Sequence, residues 1–130
     1  MELMNALALL NEIKHALIEL RVNGATRTIN ILNFPLTNND SQFLDETLGR
    51  GNLTIDYRGA EHTFWQEAKI AGVWWGEYRN SNNKVTLRTI EIAEVPMLTK
   101  AQREDMEFGI AKLEALTAEY DSDGKKILPA

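Results

Sequence analysis

Apolar residues recur every three or four positions at the start of the chain, alternate with polar ones through its middle, and return to helical spacing near its end. Leu3, Leu7, Leu10, Ile13 (or Ala16), Leu17 and Leu20 share one side of a helix running from Glu2 to about Val22. Asn5, Glu12, His15 and Glu19 take the other side, and Asn23-Gly24 supplies the stop. A short strand from about Thr26 to Leu32 carries Ile29 and Ile31 on one face, and Pro35 turns the chain. Thr37 with Asp40 has the spacing of a capping box, which opens a second helix from Asn38 to Leu48 with Phe43, Leu44 and Leu48 inward. Gly49-Arg50-Gly51 follows a helix rather than preceding one, so it reads as a turn and not as a phosphate-binding loop.

The middle of the chain reads as sheet. Leu53, Ile55 and Tyr57 alternate with Thr54 and Asp56, and Phe64 to Ile70 alternates in the same way. The stretch Val73-Trp74-Trp75-Gly76-Glu77-Tyr78 organises the rest, since adjacent tryptophans on a strand must point to opposite faces. One of the two anchors a core, and the other is either covered or offered to a partner. Asn80 to Asn83 is a hairpin loop. The last strand, about Lys84 to Ala93, changes phase between Leu87 and Ile90, which implies a bulge near Arg88-Thr89 or burial on both faces. Thr99 with Gln102 is read as the capping box of a final helix beginning at Lys100, with Met106, Ile110, Leu113 and Leu116 as its stripe.

Hairpins this tight require antiparallel pairing. The predicted architecture is α+β: a two-layer sandwich in which a mostly antiparallel sheet of about five strands packs against N- and C-terminal helices and one short helix. Residues 1–130 are read as a single domain, with 121–130 a loose tail.

Charge and residue types then narrow the chemistry. Nineteen acidic residues against fourteen basic ones, with no basic run longer than Lys125-Lys126, argue against nucleic acid. The absence of cysteine removes disulfides, thiol nucleophiles and thiolate metal sites, and fits a cytoplasmic setting. No stretch approaches the ~20 apolar residues of a membrane span, and the N-terminal residues lack a basic leader. His15 and His62 lie in unlike elements and do not make a metal pattern, so no metal or cofactor is expected. Paired carboxylates near Glu67, Glu77 and Glu91 are the one enzymatic alternative, for a small hydrolase or isomerase. Glu91, between Ile90 and Ile92, reads otherwise as a buried carboxylate paired with Arg88 or held by backbone amides. Trp65, Trp74, Trp75 and Tyr78 are the partner-binding candidates, because tryptophan and tyrosine dominate interface hot spots. The outward member of Trp74 and Trp75, together with Trp65 or Tyr78, is the expected anchor.

Pro35-Leu36, Asp40, Leu44 and Leu48-Gly49-Arg50-Gly51 form a P-L-x3-D-x3-L-x3-L-G-x-G pattern. Gly72-Val73-Trp74 and Ile90-Glu91-Ile92-Ala93-Glu94-Val95-Pro96 follow it. In this order and spacing the chain resembles the C-terminal domain of the HupH/HyaF/HoxQ family of hydrogenase expression proteins. The resemblance implies an accessory, non-enzymatic, chaperone-like role in maturation of an uptake [NiFe] hydrogenase. Its implied partners are a hydrogenase subunit precursor or other maturation proteins, and protection of assembly in oxygen is part of the same picture. A self-associating homodimer is the structural alternative. The motif positions Pro35, Leu36, Asp40, Gly49, Gly51, Gly72, Glu91 and Pro96 are implied fold determinants and a contact surface.

Overall fold

The computed structural model describes residues 2–127. Its elements run α1 (Ala6–Asn23), β1 (Arg27–Asn30), α2 (Asn38–Leu48), β2 (Thr54–Arg58), β3 (His62–Glu67), β4 (Val73–Arg79), β5 (Val85–Ile92), a 3-10 turn (Met97–Thr99) and α3 (Arg103–Thr117). The five strands form one antiparallel sheet in the order β1-β5-β4-β3-β2. The fold is α+β. Two compact units divide it, residues 1–99 and residues 100–130.

In the first unit the core forms where α1 and α2 meet one face of the sheet. Val73 and Trp75 of β4, Ile90 and Ile92 of β5, and Ile29 of β1 supply the sheet side. Ala6, Leu9, Ile13 and Ala16 supply α1, and Leu44 and Leu48 supply α2. The expected stripe of α1 packs on the core through Leu3, Leu10, Ile13, Leu17 and Leu20, but Leu7 is exposed, and Ala6 and Leu9 lie fully inside in its stead. Alanine is favoured there because a short side chain lets the helix backbone approach its neighbours closely.

A single carboxylate begins both helices. The side chain of Asn5 does not cap α1; Asp40 of α2 does so instead, accepting from the backbone amides of Met4 (2.9 Å), Asn5 (3.1 Å) and Ala6 (3.2 Å). The same carboxylate accepts from Thr37 N, and Thr37 Oγ1 accepts from Asp40 N, completing the capping box of α2. Burial pushes the Asp40 carboxyl up, but these amide donors outweigh it and hold the group at about 2, below its ordinary 3.8. Gly24 ends α1 in the left-handed conformation, as the sequence predicts.

Several details differ from expectation, beginning with α1, which starts at Ala6 rather than Glu2. The strand expected to reach Ile70 stops at Glu67, because Ala68 to Gly72 form the reversal into β4. Gly72 sits there at φ +85°, with its carbonyl bonded to Ala93 N and Leu17 close above it, a position that excludes a side chain. In β5 the irregularity falls where Tyr78 and Arg79 of β4 skip from Leu87 to Val85, not near Arg88-Thr89, while Ile90 to Ile92 are buried on both faces. Finally, no capping box joins Thr99 and Gln102. Thr99 Oγ1 instead bonds Pro96 O within the 3-10 turn, and α3 begins at Arg103 after an uncapped Gln102.

In the second unit, α3 contributes no buried residue. Met106, Ile110, Leu113 and Leu116 are present as a stripe and each is half exposed or more. Residues 121–127 fold into a turn in which Asp121 Oδ1 accepts from the amides of Asp123 and Lys125 and Tyr120 bridges to Lys126. The rest of the expected tail, 128–130, lies outside the described residues.

Candidate functional site: a tryptophan-floored cleft on the helix face of the sheet

Alternation places Trp74 and Trp75 on opposite sides of the sheet, and the two sides are built differently. Opposite the helices, Trp74 and Trp65 are fully buried. The Trp74 indole donates to Ala93 O (3.1 Å). The Trp65 indole donates to Glu91 Oε2 (2.8 Å), which also accepts from Tyr78 Oη (2.8 Å) and Thr89 Oγ1 (2.6 Å). Tyr78 meets Trp65 edge-on, with ring centroids 5.8 Å apart. Gly76 makes room for this cluster, since a Cβ there would lie 2.2 Å from Thr89 Oγ1 and 2.6 Å from Glu91 Oε2. Glu91 is thus a buried carboxylate held by three side-chain donors, not by Arg88 or by backbone amides. Burial first, and the hydrogen bond to Glu91 second, push the Tyr78 hydroxyl above its ordinary range, so it stays protonated and donates.

Trp65 and Trp74 consequently present nothing to a partner. The expectation that Trp65 or Tyr78 joins the outward tryptophan in one patch is corrected by geometry: both lie, with Trp74, on the face opposite Trp75.

Trp75 is the open member. It is half-buried, its indole donates to Gly49 O (2.8 Å), and the Arg50 guanidinium lies 4.1 Å from its ring centroid. Arg50 is also paired with Asp45 of α2 at 2.8 Å. These residues border a cleft of about 590 Å³ between α2 and strands β3, β4 and β5. Its apolar lining includes Ile31, Leu36, Leu44 and Phe64; its polar lining includes Gln42, Gln66, Glu77 and Arg88. Gln66 Nε2 donates to Gly51 O, so both glycine carbonyls of the Gly49-Arg50-Gly51 turn hold side chains of the sheet in place.

The carboxylates named as an acid–base alternative do not converge. Glu77 is on the helix face and bonded to Arg79, whereas Glu67 and Glu91 face the other way. His15 is exposed on α1, and His62 of β3 pairs with Asp56 of β2. The Asp56 carboxyl is held below its ordinary value chiefly by that His62 hydrogen bond, with Arg58 adding to it.

Leu36, Leu44 and Arg50 of the cleft fall within the P-L-x3-D-x3-L-x3-L-G-x-G pattern, whereas the sheet residues that line it fall outside. The HupH hydrogenase expression protein, C-terminal conserved region, matches residues 3–120. The chain belongs to the HupH hydrogenase expression protein family.

Hydrogenase expression protein HupH from Thiobacillus denitrificans, a solved structure, is similar over 90% of this chain and 98% of its own, with a TM-score of 0.77 and 35% identity. Among curated relatives, hydrogenase expression/formation protein HoxQ of Cupriavidus necator is 32% identical over 79% of this chain and 36% of its own length. Hydrogenase expression/formation protein HupH of Rhodobacter capsulatus is 36% identical over 66% of this chain and 31% of its own. The chain spans about a third of the length of the curated relatives it matches.

Within the HupH-family fold the motif positions divide by task. Asp40 caps two helices, Gly72 turns β3 into β4, and Pro96 is buried with its carbonyl accepting from Thr99. Pro35 O accepts from Asn5 Nδ2 (2.6 Å), and Gly51 N donates to Glu67 O (2.6 Å). Leu36 lines the cleft, and the carbonyl of Gly49 holds the Trp75 indole that borders it. Arg50, Phe64 and Arg88 are cleft residues that sequence reasoning did not single out. Arg50 stood inside the motif, and its place between two glycines was the available signal.

Proposed function

We propose that this chain serves the expression or formation of a hydrogenase as a non-enzymatic accessory protein, working by protein–protein contact at the Trp75 cleft. Family membership supports the hydrogenase connection, because the similar proteins are named for hydrogenase expression and formation. The observation that carries the contact reading is Trp75 with Arg50 stacked on it in an open, apolar-lined cleft, since tryptophan and arginine are the residue types that concentrate binding energy. The indole is fixed by its hydrogen bond to Gly49, so little ordering is left for a partner to impose. The finer expectation is an assembly-chaperone role in the cytoplasm for an uptake [NiFe] hydrogenase, with a subunit precursor or another maturation protein as partner.

Affinity purification from cells expressing a nickel–iron hydrogenase operon tests this, with bound proteins identified by mass spectrometry. The parent is expected to retain a hydrogenase subunit or maturation factor. An Arg50→Glu, Trp75→Phe variant, first shown to be folded by circular dichroism, is expected to lose most of it. A parent that retains no such protein, or a variant that retains it equally, overturns the reading. A concentration-dependent dimer in sedimentation, abolished by the same variant, would assign the cleft to self-association instead.

A further inference from the structure

The charges around the cleft point to the chemistry of what it receives, granted that the cleft is the contact site proposed above. Four charged residues border it: Asp45, Arg50, Glu77 and Arg88. Asp45 is paired with Arg50, and Arg50 lies on the indole. Glu77 faces Arg88 across the β4–β5 pair, but its carboxylate is engaged by Arg79. Among the described residues no carboxylate lies within ion-pairing distance of the Arg88 guanidinium. Each acid of the cleft therefore has its cation, and one cation is left over, in a chain whose net charge is −5. Beside Arg88 the floor is aromatic: Trp75 is paired with Ile90 in the same strand pair, and Phe64, opposite Glu77 on β3, is 39% exposed.

We infer that the cleft receives a segment of a partner polypeptide carrying an aliphatic or aromatic side chain next to a carboxylate. The apolar group seats between Phe64 and Trp75, and the carboxylate pairs with Arg88. A guanidinium presents two parallel N–H donors to a carboxylate, so the pair fixes the orientation of the segment as well as its charge. A basic segment is disfavoured, because Asp45 and Glu77 already hold cations and Arg88 would repel another. A second copy of this chain is the competing occupant.

A photo-crosslinking amino acid placed at Gln42, on the exposed rim contributed by α2, tests the inference in cells that express the hydrogenase operon. The crosslinked peptide is mapped by mass spectrometry, and a second probe at Asn82, in the β4–β5 loop, serves as the off-site control. The expected product from Gln42 is a partner segment with Asp or Glu within a few residues of a large apolar side chain. Arg88→Glu should lower its yield about tenfold, the loss that corresponds to one charge-assisted hydrogen bond. Replacing the mapped acidic residue of the partner by Arg should restore the yield with the Arg88→Glu protein. Crosslinks to a basic segment, to a second copy of this chain, equally from Asn82, or not at all would overturn the inference, as would a yield indifferent to Arg88. The two readings fail separately. A hydrogenase protein crosslinked through a basic segment sinks the charge assignment alone, whereas an acidic, apolar segment from a protein unrelated to hydrogenase sinks only the functional reading.

Discussion

Asp40 shows at the scale of one residue how much a motif position can hold. Its carboxylate has no solvent-accessible surface and serves the first turns of α1 and α2 at once, four backbone amides in all. Amides at a helix N-terminus favour negative charge, so the ionised form is the one the fold binds. Its pKa is depressed in the fold, to about 2 from 3.8. The stability it contributes is therefore fully present above about pH 4 and is lost as the pH falls toward 2. Asp40→Asn should melt well below the parent at pH 7, and the gap should narrow steadily between pH 4 and pH 2. Melting temperatures measured across that range check this, and a gap that stays constant with pH would show that shape rather than charge does the capping. Half of this role was legible in the sequence. The spacing Thr37-x-x-Asp40 named the capping box, but nothing local to Asn5 said that its helix would borrow a cap from 35 residues away.

At the scale of elements, local rules worked where a short segment decides its own geometry. Thr37 and Asp40 opened α2, Gly24 closed α1, and the phase change in β5 meant burial on both faces. They failed where a neighbour decides. Thr99 satisfied its hydroxyl on Pro96, leaving Gln102 alone, and α1 turned Leu7 outward because its alanines face the core. The three central strands are locked through Gly76, which stands opposite Trp65 on one side and Thr89 on the other. Adding one methyl there drives into Thr89 Oγ1 and Glu91 Oε2, the acceptor on which Trp65, Tyr78 and Thr89 converge. Gly76→Ala should cost about 1–3 kcal/mol through overpacking, read from the midpoint of urea unfolding followed by tryptophan fluorescence. Glu91→Gln keeps one oxygen acceptor and should cost less than Glu91→Ala, which leaves buried donors unpaired at about 1–3 kcal/mol each. If Gly76→Ala unfolds at the parent's midpoint, the cluster is looser than these distances imply.

At the scale of the molecule, the order helix, strand, helix, four strands, helix was legible because hairpins are short and pattern periods are clear. The site was legible only in part. Alternation required one of Trp74 and Trp75 to face each way, but which of them met an open cleft depended on where α2 ends and where Arg50 lands, and both are set by tertiary packing. Among the described residues the buried hydrophobic core runs from Ala6 to Ala93 and the cleft is lined by residues 31–89, so both belong to the first compact unit. A chain cut after Thr99 should therefore fold. It should keep the near-ultraviolet circular dichroism of the buried Trp65 and Trp74, unfold in one cooperative step, and melt within a few degrees of the parent, because α3 contributes no buried side chain. If the Trp75 cleft is the contact, this shortened chain should also capture the same partner from cells expressing the hydrogenase operon. Capture by the full chain but not by residues 1–99, with the shortened chain demonstrably folded, would move the contact to the exposed stripe Met106, Ile110, Leu113 and Leu116 and leave the cleft without its proposed role.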